Sequence, residues 1–245
     1  SLARGTHAAP FFVGRPPGDV GRRVIVPLLL LQVGPYARVP RSPDGIGVSY
    51  YGREIAQVMG HQAAGWLDRP ERDREEGLGL LVGALGLEPG MAVGDIGAGT
   101  GTLTFPVARR VGPKGTVYAV EIQPELLVTI RERAKRYDVP NVETVLGTPI
   151  DPKLPAGKLD LIFLVDVYHE FDRPDAMVTK MTEALKPGGR LVLVEYRGED
   201  PRVPIKPLHK MTEAQVRREL AAFPLTFERN DRRLPRQHVL IFRKK

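Results

Sequence analysis

From residue 91 onward the chain alternates between short apolar runs and longer amphipathic ones. "MAVGDI", "GTVYAVEI", "NVETVL", "LDLIFLVDV" and "RLVLVEY" are rich in β-branched and aliphatic residues, with little polar alternation. That is the pattern of strands covered on both faces of a parallel sheet. Between them, "TLTFPVARRV", "PELLVTIRERAKRY" and "RPDAMVTKMTEALKPGG" place apolar residues at helical spacing. Strands separated by helices predict a doubly wound parallel sheet. After the fifth strand the rhythm changes. "MTEAQVRRELAAF" reads as a helix, and "LTFERN" and "QHVLIFRK" flank a turn at Asp231, Arg232 and Arg233. Two strands joined so closely pair antiparallel. The expected fold is therefore α/β, a doubly wound seven-stranded sheet, mostly parallel, with a C-terminal antiparallel hairpin.

The first third of the chain lacks this rhythm. Residues 1–49 are rich in Gly, Pro and Arg without a period and predict an irregular arm. Residues 50–74, with "YYGREIAQVMGHQAAGWLDRP", predict one or two short helices placed to act as a lid, and the main domain then spans 75–245. Within the arm, "RRVIVPLLLLQVGPYA" (22–37) joins two arginines to an apolar run broken by Pro27. It is too short to span a bilayer as a helix. It resembles the charged and apolar regions of a secretory signal, the alternative being an arm lying on the domain.

Composition narrows the chemistry. A chain of 245 residues with 42% hydrophobic residues suits one sizeable α/β domain plus an extension. It contains no cysteine, which excludes disulfides, thiolate zinc sites and a cysteine nucleophile; no metal is expected in the site. The net charge of +7 is uneven: +4 over 1–49, −3 over 50–90, −1 over 91–195 and +7 over 196–245. The central segment is nearly neutral, so a nucleic-acid footprint would have to lie at the ends. A solvated basic tail accounts for the same charge.

"VGDIGAGTGT" (93–102) follows the first strand of the main domain. A glycine-rich strand-to-helix turn lets a ligand lie against the backbone and its N–H groups. Dinucleotide spacing would require glycine at position 102, where Thr102 stands, and the Gly-Lys-Ser/Thr ending of a phosphate loop is missing. Asp95, two residues before Gly97, would repel a pyrophosphate but suit a cation. Glu121 closes the second strand 20 residues beyond Gly101, where an acid can accept from both hydroxyls of a ribose. A nucleoside carrying a positive charge, such as S-adenosylmethionine, fits both acids.

Taken in order, "VGDIGAGTG", "YAVEIQPE", "LDLIFLVDVYHEF" and "LKPGGRLVLVEY" resemble the motifs of the class I, Rossmann-like S-adenosylmethionine-dependent methyltransferases. Within that class they resemble the small-molecule group that includes the ubiquinone/menaquinone-biosynthesis C-methyltransferases, the type 11 methyltransferases. The resemblance covers roughly 75–245 and implies S-adenosyl-L-methionine as cofactor, leaving S-adenosyl-L-homocysteine as product. Position by position, it implies Asp95 near the methionine ammonium, and the backbone of Gly97, Ala98, Gly99, Thr100 and Gly101 along the methionine and ribose. Glu121 would hold the ribose hydroxyls and Ile122 would pack on the adenine. The family's acidic turn after the third strand reads Gly147, Thr148, Pro149 here, so Thr148 or Asp151 would meet the adenine amino group. Val165 and Asp166 end the fourth strand at the edge where such sheets keep ligands.

Methyl transfer from a sulfonium is an in-line displacement governed by positioning, with a base needed only where the acceptor must lose a proton. In "DVYHEF" His169 is the candidate base and Asp166 an orienting residue, with Glu195 a third candidate. His209, in "PIKPLHKMTE", lies in the insertion after the fifth strand where such enzymes build acceptor pockets, and His61 and Trp66 would form a lid. A surface or capping role is the alternative for both histidines. The acceptor is expected to be a small molecule methylated on O, N or C. An RNA substrate gripped by the Arg-rich termini, or non-catalytic binding of S-adenosylmethionine, are the competing readings. The cofactor is made in the cytosol, which favours a cytoplasmic enzyme; an exported one follows if 22–37 acts as a signal.

Overall fold

The computed structural model describes residues 34–245; the first 33 residues, with most of the signal-like stretch, lie outside it. Residues 36–56 form a three-stranded antiparallel sheet, β1 (Tyr36–Arg38), β2 (Gly45–Tyr50) and β3 (Arg53–Ala56), in the order β1-β2-β3. This corrects the sequence reading, which placed an irregular arm and then a helix here. The reason is local. Tyr51 and Gly52 have φ of 48° and 88°, and two positive φ values at a two-residue connection are what a tight hairpin turn requires. The helical expectation survives only as a 3-10 turn over His61–Trp66 and the short α1 (Arg72–Glu76). Gly77, at φ 70°, breaks the chain before α2 (Leu78–Ala84).

The main sheet has seven strands: β4 (Ala92–Ile96), β5 (Thr116–Glu121), β6 (Val142–Leu146), β7 (Leu159–Val165), β8 (Leu185–Tyr196), β9 (Leu225–Asp231) and β10 (Gln237–Lys244). Their order is β6-β5-β4-β7-β8-β10-β9, with β10 antiparallel to both neighbours and the other pairs parallel. The predicted architecture is what is observed, including the hairpin. β8 begins earlier than expected: "LKPGG" is already strand rather than the end of the preceding helix.

Alternation along the strands sorts the core into two layers. Leu161, Phe163, Val192, Val194, Val239 and Ile241 pack beneath α2, α3 (Thr104–Val111) and α4 (Pro124–Arg136). Ile162, Leu164, Leu191, Leu193, Leu240 and Phe242 pack beneath α5 (Pro174–Ala184) and α6 (Glu213–Leu220). Each such side chain contributes about 1.5–3 kcal/mol on burial, so the central strands anchor everything at their carboxyl ends. Helix ends follow the expected chemistry. Pro124 opens α4, whose last turn carries Arg133, Lys135 and Arg136, and the Thr212 hydroxyl caps α6 by accepting from the amide of Gln215 at 3.1 Å.

The small sheet is pinned to the main domain by Arg53. Its guanidinium donates to both oxygens of Glu219 on α6 at 2.9 and 3.1 Å, and to the carbonyl of His169 at 3.0 Å. Among the described residues no helix is long and apolar enough to cross a membrane.

Candidate functional site

A cleft of about 670 Å³ opens over the carboxyl ends of β4, β5, β7 and β8, roofed by 57–67. Asp95, Gly97, Ala98, Gly99, Glu121, Ile122, Thr148, Val165, Asp166 and His169 all line it. Thr100, Gly101 and Asp151, also singled out in the sequence, do not. The Thr100 hydroxyl donates to Asp68 at 2.7 Å, and Asp68 pairs with Arg133 of α4 at 2.6 Å, tying the loop to its surroundings. Asp151 engages Lys153 at 2.9 Å.

The glycine loop closes tightly on its neighbours. A Cβ on Gly97 would stand 2.5 Å from Val167 Cγ2, and one on Gly99 would stand 2.6 Å from Leu67 Cδ1; both residues also have positive φ, 69° and 58°. Only glycine relieves both constraints. One expectation changes. The amides of Gly97 and Ala98 donate to the carbonyl of Val120 at 2.9 and 3.1 Å, and that of Gly99 donates to Glu121 Oε1 at 2.9 Å. These N–H groups are satisfied within the protein and form no anion cradle, which further separates this loop from a phosphate-binding one.

Two buried carboxylates flank the loop. Asp95 Oδ2 accepts from the Thr104 hydroxyl at 2.6 Å, and burial, reinforced by Glu121, pushes its carboxyl up to about 7. Glu121, at the end of β5, accepts from Gly99 through Oε1 and from the amide of Ile122 through Oε2 at 3.0 Å. Burial raises it above the usual carboxylate range despite those amides. Ile122 is 38% exposed yet forms part of the wall, an apolar surface available to a flat ring. Thr148 sits at the same end, in a turn closed by its amide on the Asp151 carbonyl at 2.8 Å.

At the other end four groups converge. The 3-10 turn Tyr168–Glu170 follows β7 and buries His169, whose Nδ1 is 2.6 Å from Glu195 Oε2 at the end of β8. Glu195 Oε1 accepts from the amide of Tyr168 at 2.9 Å. On its other side His169 Nε2 is 3.1 Å from Nδ1 of His209, which lies in the 3-10 turn Pro207–His209. Burial disfavours a charged imidazole, but the Glu195 carboxylate outweighs it and raises the His169 pKa. Glu170 lines the cleft beside them, its carboxyl pushed up to about 7 by burial.

Asp166 is held at φ 55°, a left-handed conformation that strains a non-glycine residue. Its Oδ2 accepts from Gln237 Nε2 at 2.9 Å, while Oδ1 is buried without a hydrogen-bond partner among the described residues. Burial, with Glu76 and Glu195 nearby, raises its pKa well above the ordinary value.

Sequence reasoning missed the group beneath Asp166. Arg72 and Glu76 of α1 line the cleft, paired at 2.9 Å, and Tyr196 donates to Glu76 at 2.8 Å. The signal was present, since Arg72 and Glu76 stand four apart on one helix face, but that spacing alone does not mark a site.

The comparisons with known proteins agree with this geometry. A family profile described as a methyltransferase domain matches residues 87–229. Nocamycin O-methyltransferase of Saccharothrix syringae is 36% identical over 106 residues, 43% of this chain and 38% of that protein. A ubiquinone/menaquinone biosynthesis C-methyltransferase of Bordetella parapertussis is 27% identical over 177 residues, 66% of this chain and 68% of that protein. A crystal structure of a SAM-dependent methyltransferase from Aquifex aeolicus superposes with TM-score 0.72 at 23% identity, covering 77% of this chain and 100% of that one. At that identity the superposition speaks for the fold, and the profile, which spans more than half of the chain, speaks for the family. This chain belongs to the methyltransferase-domain family.

Proposed function

We propose that the cleft binds S-adenosylmethionine and transfers its methyl group to a small molecule. The observation that carries this reading is the pair of buried acids, Asp95 and Glu121, on either side of a glycine loop, all of them lining one cleft. A buried carboxyl with a pKa near 7 is costly to ionise unless a cation arrives, and the methionine ammonium supplies one. Glu121 still has lone pairs free beyond its two amide bonds for ribose hydroxyls. Ile122 and Thr148 then border the adenine, with Gly97, Ala98 and Gly99 along the methionine and ribose. Thr100 and Gly101 act only by shaping the loop.

The methyl carbon would face the end where Val165, Asp166 and His169 stand. There the acceptor's lone pair forms the new bond to carbon as the carbon–sulfur bond breaks, leaving a neutral thioether. His169, oriented by Glu195, takes the acceptor's proton where one must leave, and Asp166 orients the reacting groups. The 57–67 segment, with His61 and Trp66, covers the site as a lid. A small acceptor is favoured over RNA because the cleft is roofed.

The test is a thermal-shift panel against S-adenosylmethionine, S-adenosylhomocysteine and NAD. Stabilisation by both sulfur nucleosides, but not by NAD, is expected. Stabilisation by NAD alone overturns the reading.

A further inference from the structure

We propose that His169, Glu170 and His209 bind one divalent transition-metal ion of the zinc type, with Glu195 orienting His169 from behind. The proposal concerns the acceptor end of the cleft and rests on the methyl-transfer reading only for what the ion does there.

The argument is geometric. His169 Nε2 and His209 Nδ1 are 3.1 Å apart, His169 Nε2 and Glu170 Oε1 are 3.9 Å apart, and His209 Nδ1 and Glu170 Oε1 are 3.7 Å apart. The point equidistant from the corners of that triangle lies about 2.1 Å from each, which matches zinc bonds of roughly 2.0–2.2 Å to imidazole nitrogen and carboxylate oxygen. A hydrogen bond between the two rings explains the short edge alone. It does not explain why a carboxylate oxygen stands at nearly equal distance from both nitrogens, beyond hydrogen-bond reach of either. A shared cation explains all three edges.

The surrounding residues fit the same reading. Glu170 Oε2 accepts from the amide of Met59 at 3.4 Å, which leaves Oε1 as the oxygen nearer the two rings. Glu195 takes Nδ1 of His169 at 2.6 Å and thereby commits Nε2 to the cluster, the carboxylate–histidine arrangement that fixes a metal-binding ring. Glu195 is itself immobilised by the Tyr168 amide. Two imidazoles and one carboxylate form a donor set for zinc or ferrous sites that keep a position open for substrate.

All three donors line the cleft, so an ion on them is within reach of the acceptor. That narrows the acceptor to a molecule whose nucleophilic atom is itself a metal ligand, a hydroxyl or a thiol. With both ring nitrogens committed, His169 is then a ligand and not the base. Binding of the acceptor as the anion releases its proton to solvent, and its lone pair forms the bond to the methyl carbon while the sulfonium's carbon–sulfur pair stays on sulfur.

The test uses the full chain, freed of metal by a chelator and then dialysed, with Zn2+ as the probe in titration calorimetry. One ion per chain is expected, bound in the micromolar range or tighter. His209→Gln and Glu170→Gln should each weaken binding at least tenfold, and Glu195→Gln by about 10–100-fold, as outer carboxylates of metal-bound histidines do. His238→Gln should leave binding unchanged, since His238 is engaged elsewhere, with Glu199 and Asn230. S-adenosylhomocysteine binding by each variant reports whether its fold survives. His209 is the most accessible of the donors, so His209→Gln carries the test should Glu195→Gln fail to fold. Zinc binding that His209→Gln and Glu170→Gln leave intact, or no stoichiometric binding in a protein that still binds S-adenosylhomocysteine, overturns the site while sparing the cofactor reading. Zinc binding without S-adenosylhomocysteine binding does the reverse.

Discussion

The amide of Gly99 donates to Oε1 of Glu121 at 2.9 Å, so the acid at the end of β5 also clamps the glycine loop across the strand gap. One side chain therefore both fixes the loop and lines the cleft. Glu121→Ala should lower S-adenosylhomocysteine affinity tenfold or more, since hydrogen bonds to a charged group are worth about 1.5–3 kcal/mol each. Calorimetry checks this, and an unchanged affinity removes Glu121 from the site.

Asp95 gives the pH dependence a definite sign. Burial holds its carboxyl up at about 7 in the free protein, and a bound ammonium lowers it again. Binding must then release a proton below that value. Affinity for S-adenosylhomocysteine should climb between pH 5.5 and about 7, by up to roughly tenfold per unit, and level off above. Asp95→Asn should flatten the profile and weaken binding at pH 8 by about 1–2 kcal/mol. A wild-type profile that is flat from pH 5.5 to 8 excludes this role.

His169→Ala should leave cofactor binding intact and lower turnover by roughly 10²–10⁴-fold on an acceptor found by screening for S-adenosylhomocysteine release. Loss of folding without a catalytic phenotype would assign the residue to structure alone.

Arg53 supports a prediction about stability. Glu219 is fully buried and relies on Arg53 for two of its contacts. Arg53→Ala strands that carboxylate and should cost about 3–5 kcal/mol, whereas replacing both partners with apolar residues of similar size should cost much less. Urea unfolding of the single and double variants measures the difference. Equal losses in the two would show that the pair itself, rather than the stranded charge, supplies the stability.

The main sheet was legible because β4, β5, β7 and β8 are buried on both faces, and little but apolar residues can stand there. The small sheet was not. Its turn, Tyr51 and Gly52, is not among the strongest hairpin pairs, and "REIAQVM" carries apolar residues at spacings that suit a helix as well as a strand. The cofactor end was largely readable, because Asp95, Gly97, Gly99 and Glu121 lie within 27 residues on adjacent strands. The acceptor end was readable only in part. His169 stands out beside β7, but its meeting with Glu195 and His209 spans 26 and 40 residues and depends on how β8 and the turn after it fold back. No local pattern encodes that closure.

The walls of the cleft come from two different materials. The end at Asp95 and Glu121 is cut largely into strand termini fixed by the sheet, whereas the end at His169 is assembled largely from the turns at 168–170 and 207–209 and the roof at 57–67. On the function proposed above, recognition of the acceptor can therefore drift by exchanging those short segments without disturbing the hydrogen-bond ladder that holds Asp95 and Glu121. Grafting 57–67 and 204–209 from a relative is thus a direct route to a different acceptor on an unchanged nucleoside platform.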